Sequence, residues 1–236
     1  YHYIFEASSH ALDQDRIKRF PINLAAITNI SQDHLDYHKS FKEYKKTKFK
    51  LFTQKLDNQG IAILNDKIKG IDLLKKMLVK NEIITYGTYK SNVNLQQDKN
   101  KIKIKFYNKK YFLNNLILSQ IELENISCAI ACSIGLGLDI KKILKVIKKI
   151  NNPPGRLQKI EKYNGRFAVI IDFAHTPDAL KKVLIANTNN KIKPNVVFGC
   201  GGERDKNKRT KMGSIANKYA NKVYITDDNP RNESPK

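Results

Sequence analysis

Two stretches near the carboxyl end limit what this chain can become. Asn195-Val-Val-Phe-Gly-Cys-Gly-Gly-Glu-Arg-Asp205 and Lys222-Val-Tyr-Ile-Thr-Asp-Asp-Asn-Pro-Arg231 each run from β-branched and aromatic residues into Gly or Pro with charge. That is the pattern of a buried parallel strand delivering polar groups from its carboxyl end. Between them, Met212, Ile215, Ala216 and Tyr219 recur at helical spacing, which predicts a helix from Lys208 to Tyr219. A right-handed strand, helix, strand crossover then sets the two loops side by side. Arg204 and Arg231 are expected to reach a common pocket, with Asp228 and Asn229 beside them. Two guanidiniums, a carboxylate and an amide suit a ligand carrying both carboxylate and ammonium groups, such as an amino acid. The duller reading is a proline-bearing turn with solvated charge.

Charge is the other strong constraint. Lys and Arg number 44 against 22 Asp and Glu, a formal net charge of +22. A basic domain invites a nucleic-acid reading. Here the excess is almost all Lys, spread over every segment and accompanied by heavy Asn and Ile usage, which fits codon bias better than a binding stripe; no specific nucleic-acid partner is expected. Cys128, Cys132 and Cys200 show neither CxxC nor Cys/His ligand spacing, and Cys128 and Cys132, four apart in an apolar helix, are expected to be small core residues in a reducing compartment. No stretch is long and apolar enough to span a bilayer and no export leader is recognised. A cytoplasmic protein, monomeric in its full-length form, is the expectation. The abrupt ends suggest a piece of a longer polypeptide.

Along the chain, strands are expected at Tyr1–Phe5, Leu24–Asn29, Gly60–Leu64, Glu82–Thr85, Lys101–Phe106 and Tyr111–Leu118, the last two forming a hairpin around Asn108-Lys-Lys110. Helices are expected from Ser40 to about Thr53, capped by Ser40 with Glu43 three positions on, and at Ile68–Leu78, Leu123–Leu136 and Asp139–Ile150. Asn151-Asn-Pro-Pro-Gly155 is the strongest punctuation and the expected boundary between domains 1–151 and 152–236. Beyond it, Phe167–Asp172 reads as a buried strand, and Thr176-Pro177 opens a helix Asp178–Ile185. The second domain is therefore expected to be a doubly wound parallel sheet. Asp172 and His175 stand between that strand and a helix amino end, where phosphate is favoured.

Three polar groups of the first domain could converge: Glu6 after the first strand, His34 after the second, and Lys48 on the following helix. Glu and His are ordinary ligands for a divalent ion that also holds phosphate. Lys becomes one only if carbamylated, which would account for its place beside Tyr44 and Phe52 on an inward stripe. Singly, each has a plainer explanation: a strand-end cap, a satisfied loop histidine, a snorkelling stem.

Taken together, Glu-Ala-Ser-Ser-His10, Thr-Asn-Ile-Ser-Gln-Asp-His-Leu-Asp-Tyr-His38 with Lys48 downstream, Asp-Phe-Ala-His-Thr-Pro-Asp-Ala-Leu180, Phe-Gly-Cys-Gly-Gly-Glu-Arg-Asp-Lys206 and Asp-Asp-Asn-Pro-Arg231 closely resemble the Mur ligases. Five motifs in register over nearly the whole chain are far more specific than any one. The resemblance implies an α/β fold: part of a central ATPase-type domain, then the start of a Rossmann-like carboxyl-terminal domain. It also implies that an amino-terminal uridine-nucleotide domain, a glycine-rich phosphate loop and a carboxyl-terminal stretch lie outside this sequence, so the chain alone is expected to be inactive. Glu6, His34 and carbamylated Lys48 resemble a magnesium-binding catalytic set. Ser8, Gln14 and Arg16 fall where the UDP-sugar peptide is held, and Asn125, Arg156, Asp172 and His175 where ATP is held. Arg204, Asp228, Asn229, Pro230 and Arg231 resemble the pocket for meso-diaminopimelate. The implied reaction joins that amino acid to UDP-N-acetylmuramoyl-L-alanyl-D-glutamate through an acyl phosphate, with Asn151–Gly155 as a hinge.

Ser119 and Glu122 depart from the family pattern, which has Gly and Asn before the residue matching Asn125. The alternatives are a folate- or cyanophycin-type amide ligase, which should lack the Asp-Asn-Pro-Arg loop, a basic nucleic-acid-binding module, and an inactive paralogue that only pairs with another chain.

Overall fold

The structure, a computed structural model, describes residues 3–160, 167–188 and 192–234. Its contacts divide into two compact units: residues 1–30 with 38–149, and residues 31–37 with 150–236.

The first unit is built on a six-stranded sheet in the order β1 (Ile22–Ile27), β2 (Leu56–Asn65), β3 (Glu82–Tyr86), β4 (Val93–Asp98), β5 (Lys101–Phe106) and β6 (Lys109–Asn114). Strands β1 to β4 pair in parallel and β4 to β6 antiparallel. The period-two alternation of β2 decides the layering. Ala62 and Leu64 pack with Leu12 of helix α1 (Ser9–Asp13), Phe49 of α3 (Phe41–Lys50), Phe52 of the π-helical turn Leu51–Lys55 and Leu74 of α4 (Ile71–Met77). Ile63 points the other way, against Ile130 and Ala131 of α5 (Gln120–Gly135) and Ile147 of α6 (Ile140–Ile147). The one-turn helix α2 (Leu35–His38) lies in sequence where the chain passes between the units. In the β5–β6 hairpin Ile102 and Ile104 are fully buried while the intervening lysines face outward, as the alternation demands.

Local signals set several boundaries. Ser40 caps α3, its hydroxyl accepting from the Glu43 N–H at 3.2 Å. Ser119 and Glu122 form a reciprocal capping box that starts α5, with Ser119 N–H donating to Glu122 at 2.8 Å. These two family departures therefore have a structural use. The hairpin turns at Tyr107-Asn108, one residue earlier than expected, with Tyr107 in the left-handed region. Strand β4 was not anticipated. Its Val-Asn-Leu-Gln-Gln-Asp run is too polar on one face to stand out without the neighbour that covers the other.

Three strand expectations require correction. No strand forms over the described part of Tyr1–Phe5; Tyr3 and Ile4 are almost fully exposed, and residues 1 and 2 lie outside the described residues. An apolar run becomes a strand only when another strand accepts its backbone groups. In the second unit, β8 (Val169–Ile171) pairs antiparallel with the short β7 (Gln158–Ile160) and its Ile171 is exposed, so it is not the buried parallel strand expected at Phe167–Asp172.

The rest of the second unit follows the expected order. Helix α7 (Pro177–Ala186), capped by Thr176, packs against α8 (Asn207–Tyr219), and the two share a core of Leu180, Leu184, Met212 and Ala216. Strands β9 (Val196–Phe198) and β10 (Val223–Ile225) flank α8 in sequence and pair in parallel, Val196 opposite Val223; the pairing is the one expected but the burial is not, since Val197 of β9 and all three residues of β10 are exposed. Cys128 is buried in α5, and Cys128, Cys132 and Cys200 are all free thiols. Among the described residues, no helix is long and apolar enough to cross a membrane.

Because Ile63 of β2 is fully buried, Ile63→Ala is expected to cost about 2–5 kcal/mol of stability in a urea titration; a loss below about 0.5 kcal/mol would show that the sheet does not carry this core.

Candidate functional site

The parallel pair β9–β10 places the loops that follow it in direct contact. The ladder is prolonged by Thr226 N–H donating to Phe198 O at 3.1 Å, and beyond it Gly202 N–H donates to Asn229 O at 3.1 Å. Two glycines make this approach possible. A Cβ at Gly199 would lie 2.4 Å from Thr226 O, and one at Gly202 only 1.9 Å from Pro230 O. No side chain fits at either place. The loops also hold Glu203, Asn229 and Arg231 at positive φ of 51°, 43° and 54°, a conformation costing roughly 1–3 kcal/mol at each non-glycine residue.

Arg204 and Arg231 both approach Gly201: a Cβ built there would be 3.2 Å from Arg231 Nη1 and 3.9 Å from Arg204 Cγ. Arg231 also donates to Gly202 O. Beside them opens a cleft of about 560 Å³ whose wall includes Gly202, Lys206, Arg209, Asp228, Pro230 and Glu233. Arg204 and Arg231 are not in that wall. Arg209 and Glu233 were missed by the sequence reading; the Glu233 carboxylate receives Arg209 Nη2 at 2.8 Å and Glu203 N–H at 2.7 Å. These contacts, the Glu203 amide first, hold the Glu233 carboxyl below the ordinary carboxylate value.

A second group lies at the end of β8. Asp172 accepts Leu157 N–H and Ala174 N–H, both at 2.9 Å, and so ties the residues after the linker to the start of α7. Phe173, exposed, lies between Arg156, whose Cζ is 4.9 Å from its ring centre, and His175, whose ring is 5.2 Å away edge-on. Arg156, Asp172 and His175 are thus brought together, with Phe173 as an unanticipated fourth member.

His175 also meets the segment 31–37, which belongs to this unit. Asp33 Oδ2 is 3.6 Å from His175 Nε2 and 3.4 Å from His34 Nε2, and Asp33 Oδ1 accepts His34 N–H at 3.0 Å. Gln32 accepts from Lys211 of α8 at 2.6 Å. Burial alone would raise the Asp33 carboxyl, but the hydrogen bond from His175 and the charge and amide of His34 outweigh it and leave it below the usual range. The same contact with Asp33 raises His175, against a smaller opposing effect of burial. His34 itself sits at φ 52°.

The remaining candidates lie in the first unit. Glu6 is exposed just before α1, and Ser8 is the cap of α1, accepting Ala11 N–H at 3.1 Å. Gln14 and Arg16 follow α1 on the surface, and Asn125 is exposed on α5. Lys48 is half-buried on α3, its Nζ 5.8 Å from the centre of the buried Tyr44 ring. Among the described residues, no three His, Cys, Asp or Glu side chains gather in a group that could hold a metal ion. His34, expected with Glu6 and Lys48 in the first domain, belongs instead to the second unit with the rest of 31–37; a magnesium site on the three would also need the lysine to be carbamylated, since an ammonium cannot donate to a cation.

Residues 1–133 match the Mur ligase middle domain, and residues 155–236 match the Mur ligase glutamate ligase domain. The chain belongs to the Mur ligase family. Among curated relatives, the UDP-N-acetylmuramoyl-L-alanyl-D-glutamate–2,6-diaminopimelate ligase of Rickettsia rickettsii is 40% identical over 242 residues, covering 99% of this chain and 50% of the relative. The protein of the same name from Aquifex aeolicus is 39% identical, covering 98% and 48%. The chain therefore spans about half the length of the curated relatives it matches. A solved structure of a ligase of that name superposes with a TM-score of 0.64 at 30% identity, over 97% of this chain and 48% of that one. The MurF ligase of Thermotoga maritima, solved with ADP, gives a TM-score of 0.70 at 17% identity, over 93% and 51%, a likeness of fold.

The Asp33 contact has a titration signature. Its contribution to stability is fully present between the ordinary carboxylate value of 3.8 and the ordinary imidazole value of 6.5; it is lost as pH rises through the raised value of His175 and as pH falls through the lowered value of Asp33. The His175 proton resonance is expected to titrate above 6.5 and to fall back toward it in Asp33→Asn; an unchanged midpoint in that variant would show that Asp33 does not control the imidazole.

Proposed function

We propose that this chain is the central part of an ATP-dependent amide ligase that adds meso-diaminopimelate to UDP-N-acetylmuramoyl-L-alanyl-D-glutamate. Residues 1–151 would form its central domain and residues 152–236 the start of its amino-acid-binding domain, with Asn151–Gly155 as the hinge. The observation that carries this reading is the juxtaposition of the loops after β9 and β10, with Arg204 and Arg231 both within 4 Å of the Cβ position of Gly201 and Asp228 in the wall of the adjoining cleft. Diaminopimelate has two amino-acid ends. A pair of guanidiniums fits its extra carboxylate and repels the ammonium that lysine would present instead.

The reaction divides into two displacements. An oxygen of the substrate's terminal carboxylate attacks the γ-phosphorus of ATP, forming an acyl phosphate and releasing ADP. The amine of diaminopimelate then attacks the acyl carbon, forming the amide, and phosphate leaves as the nitrogen loses its proton. Little covalent chemistry falls to the protein, so positioning and charge stabilisation supply most of the acceleration. Arg156, Asp172 and His175, gathered around Phe173, would orient the nucleotide together with Asn125. Ser8, Gln14 and Arg16 would hold the UDP-sugar peptide. Glu6, His34 and carbamylated Lys48 would hold a magnesium ion, which when bound supplies neutralising charge at the phosphates.

A polypeptide carrying this chain at its native length, given ATP, the UDP-muramoyl dipeptide and meso-diaminopimelate, is expected to release ADP and form the tripeptide nucleotide. Replacing diaminopimelate with lysine is expected to lower kcat/KM by about 100-fold or more, because the guanidinium pair is left without its carboxylate. Equal turnover of the two amino acids, or none with diaminopimelate, would overturn the assignment.

A further inference from the structure

The contacts of Glu233 bear on a question the pocket assignment leaves open, namely what holds Arg204 in place. Arg204 lies on an exposed loop and makes no hydrogen bond or ion pair with the described residues. The residues on both sides of it are held by a single carboxylate. Glu233 Oε1 accepts the N–H of Glu203 at 2.7 Å and lies 3.6 Å from Lys206 Nζ, while Oε2 receives Arg209 Nη2 at 2.8 Å. Asn232 adds a bond from its amide to Glu203 Oε1 at 2.8 Å, and Arg209 also reaches Gly201 O at 3.5 Å. The grip therefore includes the residue immediately before Arg204 and two positions after it, the second within the first turn of α8.

We infer that Glu233 is a positioning residue for the diaminopimelate pocket: its carboxylate clamps the loop bearing Arg204 to the loop bearing Arg231. This rests on the proposed pocket for its ligand, but the clamp itself is a property of the second unit alone. Glu203 and Arg231 are held in left-handed conformations, which persist only where surrounding contacts over-determine them. Charge-assisted bonds to one carboxylate supply that constraint. Glu233 also engages Arg209 and Lys206, the two cations in the wall of the cleft, so neither competes freely with Arg204 and Arg231 for the carboxylate of an entering amino acid.

Two measurements test the clamp. In the present chain, Glu233→Ala is expected to speed hydrogen exchange at the Glu203 amide by about tenfold or more, as for a lost bond to a charged acceptor. The amides of Leu184 and Ile63 should be unchanged, and Glu233→Gln, which keeps an acceptor oxygen, should fall between. In the native-length enzyme, Glu233→Ala is expected to raise KM for diaminopimelate about tenfold, leaving kcat within about twofold and KM for ATP unchanged, because binding rather than chemistry is weakened. Glu233→Gln should recover part of the loss. Unaltered exchange at Glu203, or a fall in kcat with an unchanged KM for diaminopimelate, would overturn the role. Should the wild-type enzyme not accept diaminopimelate at all, the functional assignment would fail while the exchange experiment still decided the clamp.

Discussion

The parallel pairing of β9 with β10 is the interaction on which the second unit's candidate site depends. Three-residue strands contribute little by themselves. Their effect is geometric, since the intervening α8 makes a crossover and a crossover between parallel strands has one favoured hand. Both succeeding loops then leave the sheet at the same end. Gly199 and Gly202 let the backbones approach more closely than any side chain would allow. Charged residues separated by more than twenty positions thereby become neighbours, and the strain at Glu203, Asn229 and Arg231 is offset by hydrogen bonds between the loops and by the Glu233 carboxylate.

A comparable economy governs the remainder. In the first unit one strand, β2, serves both faces of the sheet because its alternating side chains feed two separate cores. In the second, one short acidic side chain, Asp33, touches both its neighbour His34 and the distant His175. Polar residues in such places have two roles, since the same contact that orders a loop also sets the protonation of the group that loop presents.

Much of this was legible in the residues themselves, for physical reasons that can be stated. The β9 and β10 crossings were visible because parallel strands read as continuous apolar runs that break into glycine and charge. Ser40 announced a helix start through its capping hydroxyl, and the stretch ending in Pro177 announced another. What escaped was whatever depends on a partner distant in sequence. Val93–Asp98 becomes a strand only beside β5, and Gln158–Ile160 only beside β8; the latter pairing draws Phe167–Asp172 out of the expected parallel sheet. Glu233 and Asp33 belong to the same class. Each is an ordinary charged residue in a loop until the fold supplies the groups it holds. The five motifs that pointed to the Mur ligases were visible because they are local, and the matches over residues 1–133 and 155–236 bear out that membership.

The central claim is that Arg204 and Arg231 act as a pair on one ligand. A double-mutant cycle on diaminopimelate affinity in the native-length protein tests it directly, comparing Arg204→Ala, Arg231→Ala and the double variant by calorimetry. Residues that share a ligand carboxylate are expected to show a coupling of about 1–3 kcal/mol. Strict additivity, with each substitution weakening binding independently of the other, would contradict the account.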